Sequence, residues 1–176
     1  KRGYALAGGA GRGDWRGTRF KQGIGADFKQ QLTQAGEWHF GLYAQGEMLP
    51  RYENQVSLHS SKKDKWGIPQ LHINCQWSDN EKLMMEDAAQ TAEEMLVKAG
   101  VKDVQSYVTI DKYAPGLAIH EVGTARMGHD PTESVLNAYN QTHDIPNLFV
   151  TDGSSFCSTA VVNPSLTFMA LTVRAV

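Results

Sequence analysis

Alternating hydrophobic and polar residues predict three short strands in the first half of the chain. Residues 37–45 place apolar side chains at every second position, starting with Trp38, and this period is typical of a half-buried strand. We predict a second strand over residues 55–59 and a third over residues 70–77, with a polar turn at residues 60–65 between them. On the third strand, alternate side chains should form a core-facing side. These side chains are Leu71, Ile73, Cys75 and Trp77.

A longer hydrophobic period, of three to four residues, begins after Ser78 and predicts one long helix. Ser78 and Glu81 have the spacing of a capping box, in which the glutamate reaches back to the backbone N–H of the serine. The apolar pattern continues to Lys98, and Gly100 suits the position just past a helix end. The same pattern places an apolar stripe on one side of the helix, which we expect to be core.

The order of the predicted elements indicates an α+β fold, with a mostly antiparallel sheet and one long helix packed on it. A short helix over residues 28–34 and a further strand over residues 104–110 complete this pattern. Residues 1–25 hold eight glycines. Their run at residues 8–13 lacks the preceding strand and following helix that a dinucleotide-binding turn requires. We therefore expect a flexible entry segment there.

Two further elements are predicted near the end of the chain. Residues 145–151 form a largely apolar run of strand length, which suits a central strand covered on both faces. An Asp-Gly pair, Asp152 and Gly153, follows that run. Asn163 and Pro164 then predict the start of a helix, because Asn is favoured at the N-cap and Pro at the first helical position.

Composition places the chain among ordinary soluble proteins and excludes several classes of partner. The 176 residues carry a net charge of −2 and are 41% hydrophobic, so nothing indicates a nucleic-acid partner or an anionic membrane surface. No apolar run approaches the roughly 20 residues of a membrane span. The two cysteines, Cys75 and Cys157, make neither a disulfide framework nor a zinc-finger pattern. The chain begins without Met and stops within a predicted helix, so we expect a fragment of a larger protein, and the compartment stays open.

His120 is the first candidate for chemistry, since it enters a glycine-containing turn after two apolar residues. An imidazole with a pKa of about 6.5 is able to accept a hydroxyl proton near neutral pH. Glu121 follows, but the zinc-protease motif needs a second His four residues after the first, and Thr124 stands there. We interpret Glu121 as a hydrogen-bond partner that supports His120.

Another group of polar side chains leaves an alternative open. His129, Asp130 and His143 could ligate the metal of a hydrolase, but Pro131 and the polar surroundings favour exposed turns. We predict no metal site. A Gly-x-Ser-x-Gly elbow is also absent, because Cys157 stands where the second glycine should be.

Three segments of the second half, taken together in their order, resemble the C-terminal signature of the glucose-methanol-choline (GMC) flavoprotein oxidoreductases. They are residues 120–131, residues 147–155 and residues 163–167. The Gly-Thr-Ala-Arg-Met-Gly stretch at residues 123–128 is similar to the gluconate-dehydrogenase and pyranose-oxidase branch. The likeness is best over residues 120–176 and looser upstream.

The resemblance implies roles for individual residues of this chain. It implies that His120 is the base facing the flavin, and that Asn163 pairs with it and hydrogen-bonds the substrate oxygen, while hydride passes to FAD. It places Asp152 and Gly153 near the pyrophosphate and ribityl chain. Behind Pro164, unpaired backbone amides would stabilise the reduced flavin. The amides are those of Ser165, Leu166 and Thr167.

The resemblance also implies a division of the chain and a set of partners. Residues 1–143 would be part of a substrate-binding domain, and residues 144–176 would be the returning strand and helix of the FAD-binding domain. The substrate would be an alcohol, sugar or polyol, and the electron acceptor oxygen, a quinone or a cytochrome. Apolar surface left without its cover also predicts self-association of the fragment.

A rival interpretation is a carbohydrate-binding module that carries out no catalysis. It would use an aromatic platform for the sugar. That platform would consist of Trp38, Tyr43, Trp66 and Trp77.

Overall fold

The structure, a computed structural model, describes residues 3–13, 22–108, 110 and 112–176. Within these ranges the chain forms helices and strands in the order β1 (Tyr4–Arg12), α1 (Gly25–Thr33), β2 (Trp38–Gly46), β3 (Gln55–Lys63), β4 (Pro69–Asn74), α2 (Asp79–Lys98) and α3 (Ser165–Ala175). The expected α+β class is confirmed. The strands form two separate two-stranded sheets, β1 with β2 and β3 with β4, instead of the single sheet that was predicted.

The chain divides into two compact units, which are described separately. One unit contains Gly46–Asp87 and Val108–Val176, and the other contains Ala5–Gln45 and Ala88–Tyr107. Helix α2 contributes its first half to the former and its second half to the latter. The domain boundary predicted between residues 143 and 144 stays a prediction.

Strand β1 corrects the expectation of a flexible entry segment, because residues 4–12 are a regular strand paired with β2. The glycines permit an unusually close approach of the two backbones. A Cβ on Gly8 would lie 2.0 Å from the carbonyl oxygen of Gly41, so no larger residue fits at this crossing. The glycine run therefore serves strand pairing. Residues 14–21 of the predicted segment lie outside the described residues.

The strand predicted over residues 104–110 is wrong where the structure describes it, since residues 104–108 have no strand pairing. The segment is instead held by side-chain contact: the Ser106 hydroxyl donates to Glu93 of α2 over 3.0 Å. The apolar residues of this segment suit a strand, but among the described residues no strand pairs with it to form a ladder.

Strands β3 and β4 form an antiparallel hairpin in which Val56 faces Ile73 and Leu58 faces Leu71. Strand β3 continues to Lys63, so the polar turn predicted at residues 60–65 begins only at its end. An irregularity in the pairing lies between Leu58 and Lys63. The hairpin closes at Asp64, whose carboxylate accepts the backbone N–H groups of Trp66 and Ile68, each at 2.9 Å.

The side of β4 predicted to be core is exposed in this structure. Leu71 is 67% exposed and Ile73 is 68% exposed, whereas Cys75 and Trp77 are half-buried. Among the described residues no helix packs extensively on this hairpin. The alternation predicted the strand correctly, but burial also requires a second layer.

The start of α2 confirms the predicted capping box. The Glu81 carboxylate accepts the backbone N–H of Ser78 over 2.7 Å, and the Ser78 hydroxyl accepts the N–H of Asn80 over 3.3 Å. Glu81 is almost fully buried, and it also accepts the N–H of Leu49 over 3.5 Å. One carboxylate therefore caps the helix and ties the segment after β2 to it.

The end of α2 has the predicted glycine. Gly100 adopts a φ of +82°, and its N–H donates to Val97 while the N–H of Val101 donates to Leu96, each over 3.0 Å. This pair of bonds is a Schellman motif, which needs a residue able to adopt the left-handed conformation. The positive charge of Lys98, in the last turn, interacts favourably with the negative end of the helix dipole.

The predicted apolar stripe of α2 is buried only in part. Met84 and Ala88 are 4% and 2% exposed, while Leu83 and Met95 are about half exposed. Met84 packs over the last residue of β2, where a Cβ on Gly46 would approach its methyl carbon to 2.4 Å. A larger residue at Gly46 would therefore displace the end of the Met84 side chain.

The apolar run at residues 145–151 forms no regular strand, which corrects the prediction of a covered central strand. It is instead joined to a buried turn. Asn140, at φ +60° and fully buried, accepts the N–H of Val150 over 2.9 Å and donates its amide to the Val150 carbonyl over 3.0 Å. Leu148 and Phe149 stay partly exposed. A turn in the left-handed region cannot continue a ladder, so the pairing is limited to single bridges.

Helix α3 begins one residue later than predicted. Pro164, at φ −94° and ψ 8°, occupies the position before the helix, and no side chain caps it. Thr172 ties the helix to the apolar run by donating its hydroxyl to the carbonyl of Thr151 over 3.1 Å. In the part of the chain that the structure describes, no helix has the length and apolar character needed to cross a bilayer.

The pKa of Glu81 is lowered, because the hydrogen bonds from Ser78, Asn80 and Leu49 outweigh the effect of burial, which alone would raise it. This carboxylate stabilises the fold fully above its ordinary pKa of 4.5, and the contribution is lost as pH falls through the lowered value. We expect Glu81→Gln to cost about 1–3 kcal/mol at neutral pH, and much less in acid, where the wild-type group is itself protonated.

Urea unfolding followed by circular dichroism, at neutral pH and in acid, measures the free energy of unfolding of both proteins and so gives this difference. Glu86→Gln, at an exposed position of the same helix, is the matched control and should be nearly neutral. An equal loss for both variants, or a loss at Glu81 that does not change with pH, would contradict this role.

Candidate active site

The His120 ring lies between two oxygen atoms. Its Nδ1 lies 2.6 Å from the carbonyl oxygen of Ala118, and its Nε2 lies 2.8 Å from the side-chain oxygen of Asn163. The two predicted catalytic residues, 43 positions apart in sequence, are therefore in direct contact. Both side chains are exposed, so a small molecule can reach them.

The protonation of His120 follows from these contacts. A carbonyl only accepts, so Nδ1 carries a proton that it donates to Ala118. In the neutral ring Nε2 is then the acceptor, which suits a base, and the NH₂ group of Asn163 would face it. With the amide oxygen facing Nε2, as in this structure, the pair fits the imidazolium. The pKa of His120 is raised, first by the hydrogen bond to Ala118, then by Asn163, and also by the charge of Glu121.

A tight turn places the ring. Ile119 has a φ of +54°, a conformation that β-branched residues rarely adopt. The Glu121 carboxylate accepts the backbone N–H of Ala118 over 2.9 Å and so closes the turn. Glu121 was predicted as a supporting partner, whereas the role of Ala118 was not, because a backbone carbonyl has no signal in residue type.

The glycine-containing segment after His120 is fixed by backbone pairing. Ala125 and Met127 donate their N–H groups to Ser154 and Ser155 over 3.0 and 2.9 Å. Gly123 has a φ of +88°, and a Cβ there would come within 3.3 Å of the Phe156 carbonyl oxygen. This pairing brings the strap at residues 123–128 against residues 154–156.

The predicted N-cap role of Asn163 is wrong, because its side chain contacts His120 and makes no capping bond. The loop before it turns at Ala160, which has a φ of +54°. Glu47 accepts a very short hydrogen bond from the Ser158 hydroxyl, and that hydroxyl accepts the N–H of Ala160 over 3.2 Å. Glu47 was not predicted, since nothing in its local sequence indicates a partner 111 residues away.

The start of α3 presents fewer free donors than predicted. Thr167 donates its N–H to the Pro164 carbonyl over 2.9 Å, so it is not one of the unpaired amides. Ser165 and Leu166 have no backbone acceptor within the described ranges. Two N–H groups without a backbone acceptor therefore lie at the positive end of an eleven-residue helix that begins two residues after Asn163.

Asp152 begins a single 3₁₀ turn at Gly153–Ser155. Its carboxylate accepts the backbone N–H of Ser154 over 2.9 Å and also the hydroxyl of that residue. These bonds lower the pKa of Asp152, with the Ser154 side chain as the largest cause. Ser155 is fully buried, so this turn is firmly anchored. Any contact of Asp152 with a cofactor stays a prediction.

The residues weighed as metal ligands instead make turn contacts. Asp130 accepts the N–H and hydroxyl of Thr132 over 2.8 and 2.7 Å, which holds its pKa below the ordinary value. His143 contacts the Ser134 hydroxyl over 3.0 Å. Among the residues that the structure describes, no three His, Cys, Asp or Glu side chains cluster as a metal site.

The aromatic residues of the rival interpretation are not all available to a sugar ring. Trp38 and Tyr43 are five positions apart on β2 and therefore point to opposite faces. Trp77 is half-buried and donates its indole N–H to Tyr113 over 3.0 Å. Trp66 is exposed, with Lys65 lying 4.2 Å above its ring. These positions do not favour a platform on β2.

Comparison with known proteins gives a family. A GMC oxidoreductase family model matches residues 50–172. The chain is 36% identical over 141 residues to the 2-methyl-1,2-propanediol dehydrogenase of Mycolicibacterium austroafricanum, which covers 78% of the chain and 25% of that protein. It is 28% identical to the fructose dehydrogenase large subunit of Gluconobacter japonicus, over 86% of the chain and 27% of that protein. It is 27% identical to the gluconate 2-dehydrogenase flavoprotein of Pantoea cypripedii, over 84% of the chain and 25% of that protein.

The chain thus spans about a quarter of the length of these relatives. The family match covers most of the chain, including the His120 turn, the Asp152 turn and Asn163. The resemblance seen in the sequence is confirmed, and the chain belongs to the GMC oxidoreductase family.

Proposed function

We propose that this chain is the C-terminal part of an FAD-dependent oxidoreductase that oxidises a CH–OH group, with His120 as the general base. The observation that carries the proposal is the contact between His120 and Asn163. It brings together, from distant parts of the chain, an imidazole able to take a proton and an amide able to hold the oxygen that loses it.

His120 is suited to accept the proton at Nε2. Its Nδ1 proton is held by the Ala118 carbonyl, which leaves Nε2 as the basic nitrogen of the neutral ring. The substrate hydroxyl would take the place that Asn163 occupies at Nε2 in this structure. The carbonyl behind the ring then stabilises the positive charge that develops, as in any base oriented by an acceptor.

Asn163 would hold the substrate oxygen through its amide N–H. An amide donates a hydrogen bond but does not remove a proton at neutral pH, so the two side chains have separate tasks. Asn163 also lies two residues before the first residue of α3, the helix that would face the cofactor. The same turn of chain therefore positions the substrate oxygen and the start of α3.

The residues present fit a flavin, which when bound accepts the hydride that leaves the substrate carbon. The unpaired N–H groups of Ser165 and Leu166 favour negative charge at the start of α3. Pro164 and Thr167 shape this start, since the Pro164 carbonyl accepts the Thr167 N–H.

At the Asp152 turn the carboxylate is occupied by Ser154. We propose that this turn contributes to the FAD site mainly through its backbone at Gly153. The support is the resemblance of residues 147–155 to the family and the anchoring of the turn by buried Ser155.

The substrate class is proposed from the relatives. Their names concern a diol, a sugar and a sugar acid, and we propose an alcohol, sugar or polyol here. The electron acceptor, whether oxygen, a quinone or a cytochrome, depends on surfaces that these residues do not identify. Self-association of the chain stays a prediction.

In the full-length enzyme, His120→Ala should lower the rate of the chemical step by about 10²–10⁴-fold, as expected for loss of a general base. Rapid-reaction measurement of flavin reduction tests this, with bound flavin checked by its absorbance. His129→Ala, an exposed histidine nearby in sequence, is the control. Unchanged reduction in the His120 variant would remove the proposed base from the mechanism.

Substitutions of Asn163 separate catalysis from structure. Asn163→Asp should slow flavin reduction more than Asn163→Ser, because a carboxylate repels the negative charge that develops on the substrate oxygen. The two variants should have similar thermal stability, since Asn163 does not cap α3. Equal rates for both variants would argue against contact with the substrate oxygen.

The pH dependence of His120 is a further prediction. Its raised pKa means that the imidazolium persists above the ordinary value of 6.5, and the base becomes active as pH rises through the raised value. Asn163→Leu should lower this pKa but leave part of the elevation, because the bond to Ala118 remains. Titration of the ring by ¹⁵N NMR measures it. If the His120 pKa in the leucine variant equals that of the parent protein, the contact between His120 and Asn163 does not affect this pKa in solution.

A further inference from the structure

We propose that Glu121 is a positioning residue for the base, because it closes the turn Ala118–Glu121. The Ala118 carbonyl in this turn sets the orientation and tautomer of the His120 ring. The inference rests on the proposed function of His120 and adds a residue to it.

The geometry joins Glu121 to the ring through Ala118. The Glu121 carboxylate accepts the Ala118 N–H over 2.9 Å, and the Ala118 carbonyl accepts the His120 Nδ1–H over 2.6 Å. Both polar groups of Ala118 are thus committed, one to the acid and one to the base. The N–H and the carbonyl of Ala118 belong to consecutive peptide groups, so the bond to Glu121 fixes the first and restricts the conformation of the turn that presents the second. The carbonyl in turn selects the nitrogen of His120 that is left for the substrate.

The turn needs such a closure. Ile119, between Ala118 and His120, has a φ of +54° and is 92% exposed. A β-branched side chain disfavours this conformation, and an exposed one gains no packing in return. The hydrogen bond across the turn is the contact that holds the backbone in this form.

The charge of Glu121 acts in the same direction as its hydrogen bond. It is an acid adjacent to the ring, and it favours the imidazolium that forms when the base takes a proton. Directly after β4, Cys75 lies close enough to Glu121 to feel its charge. The pKa of this thiol is raised, first by burial and then by the Glu121 charge, so it stays neutral and does not compete for the role.

Two substitutions separate the hydrogen bond from the charge. In Glu121→Gln the amide oxygen still accepts the Ala118 N–H, so the Nδ1–H tautomer should persist while the pKa of His120 falls. In Glu121→Ala the turn loses its closure, so the ring should populate both tautomers and its pKa should fall further. ¹⁵N NMR of the ring in this chain reports tautomer and pKa together. Glu133→Ala, an exposed acid outside the turn, controls for the change in net charge.

In the full-length enzyme, Glu121→Ala should lower kcat about 10-fold to 100-fold, as expected when a reacting group is misplaced, and should shift the pH profile with the pKa of His120. Glu121→Gln should keep most of kcat. A general loss of stability would not move the tautomer or the pH profile of the folded fraction. If Glu121→Ala fails to fold, Glu121→Leu, which also removes the acceptor, is tested by the same tautomer measurement.

The outcomes distinguish this inference from the proposed function. An unchanged tautomer and pKa in a folded variant that lacks the acceptor, Glu121→Ala or Glu121→Leu, would overturn the positioning role of Glu121, even if His120→Ala abolishes flavin reduction. An unchanged pKa in Glu121→Gln would show that the Glu121 charge does not act on the ring. If the tautomer or pKa of His120 changes in the Glu121 variants while His120→Ala still reduces the flavin at the full rate, the positioning role is upheld but His120 is not the base.

Discussion

The backbone pairing of residues 125–127 with residues 154–155 is the constraint on which the site depends. Its two hydrogen bonds fix the strap that follows His120 against the turn that precedes Asn163. Buried Ser155 anchors that turn from within. Because backbone groups make these hydrogen bonds, the pairing depends on the register and close approach of the two segments more than on particular side chains. Gly123, with its positive φ and its nearness to the Phe156 carbonyl, supplies that approach.

Polar groups hold this region together more than apolar ones do. The most deeply buried side chains of its unit include Glu81, Asn140 and Ser155 beside Leu136. Glu81 accepts the backbone N–H of Leu49 and Asn140 donates to the carbonyl of Val150, whereas the Ser155 hydroxyl donates within its own turn to Asp152. Buried polar groups of this kind require accurate geometry. Such a scaffold suits a site whose two key side chains come from different segments.

The side chains of the candidate site are exposed, whereas residues that anchor the neighbouring turns, such as Ser155 and Asn140, are buried. His120, Glu121 and Asn163 are exposed. The bonds that orient His120 and Glu121 run to the backbone of Ala118, and Asn163 bonds His120. A base that must meet a substrate needs an exposed Nε2, and its orientation must therefore come from the opposite nitrogen. The Ala118 carbonyl provides this orientation, and the Glu121 carboxylate holds that residue in place.

The sequence by itself determined the elements whose causes are local. The capping box at Ser78 and Glu81, the Gly100 end of α2 and the strand alternation in β2 and β4 depend on neighbours along the chain. The family likeness of residues 120–176 also identified His120 and Asn163. Tertiary structure decided what depends on distant partners. Leu71 and Ile73 are exposed because burial needs a second layer, and the glycine run became β1 because Gly41 lies opposite Gly8. Asn163 bonds His120 instead of capping α3, since a side chain satisfies whichever partner the fold brings within reach.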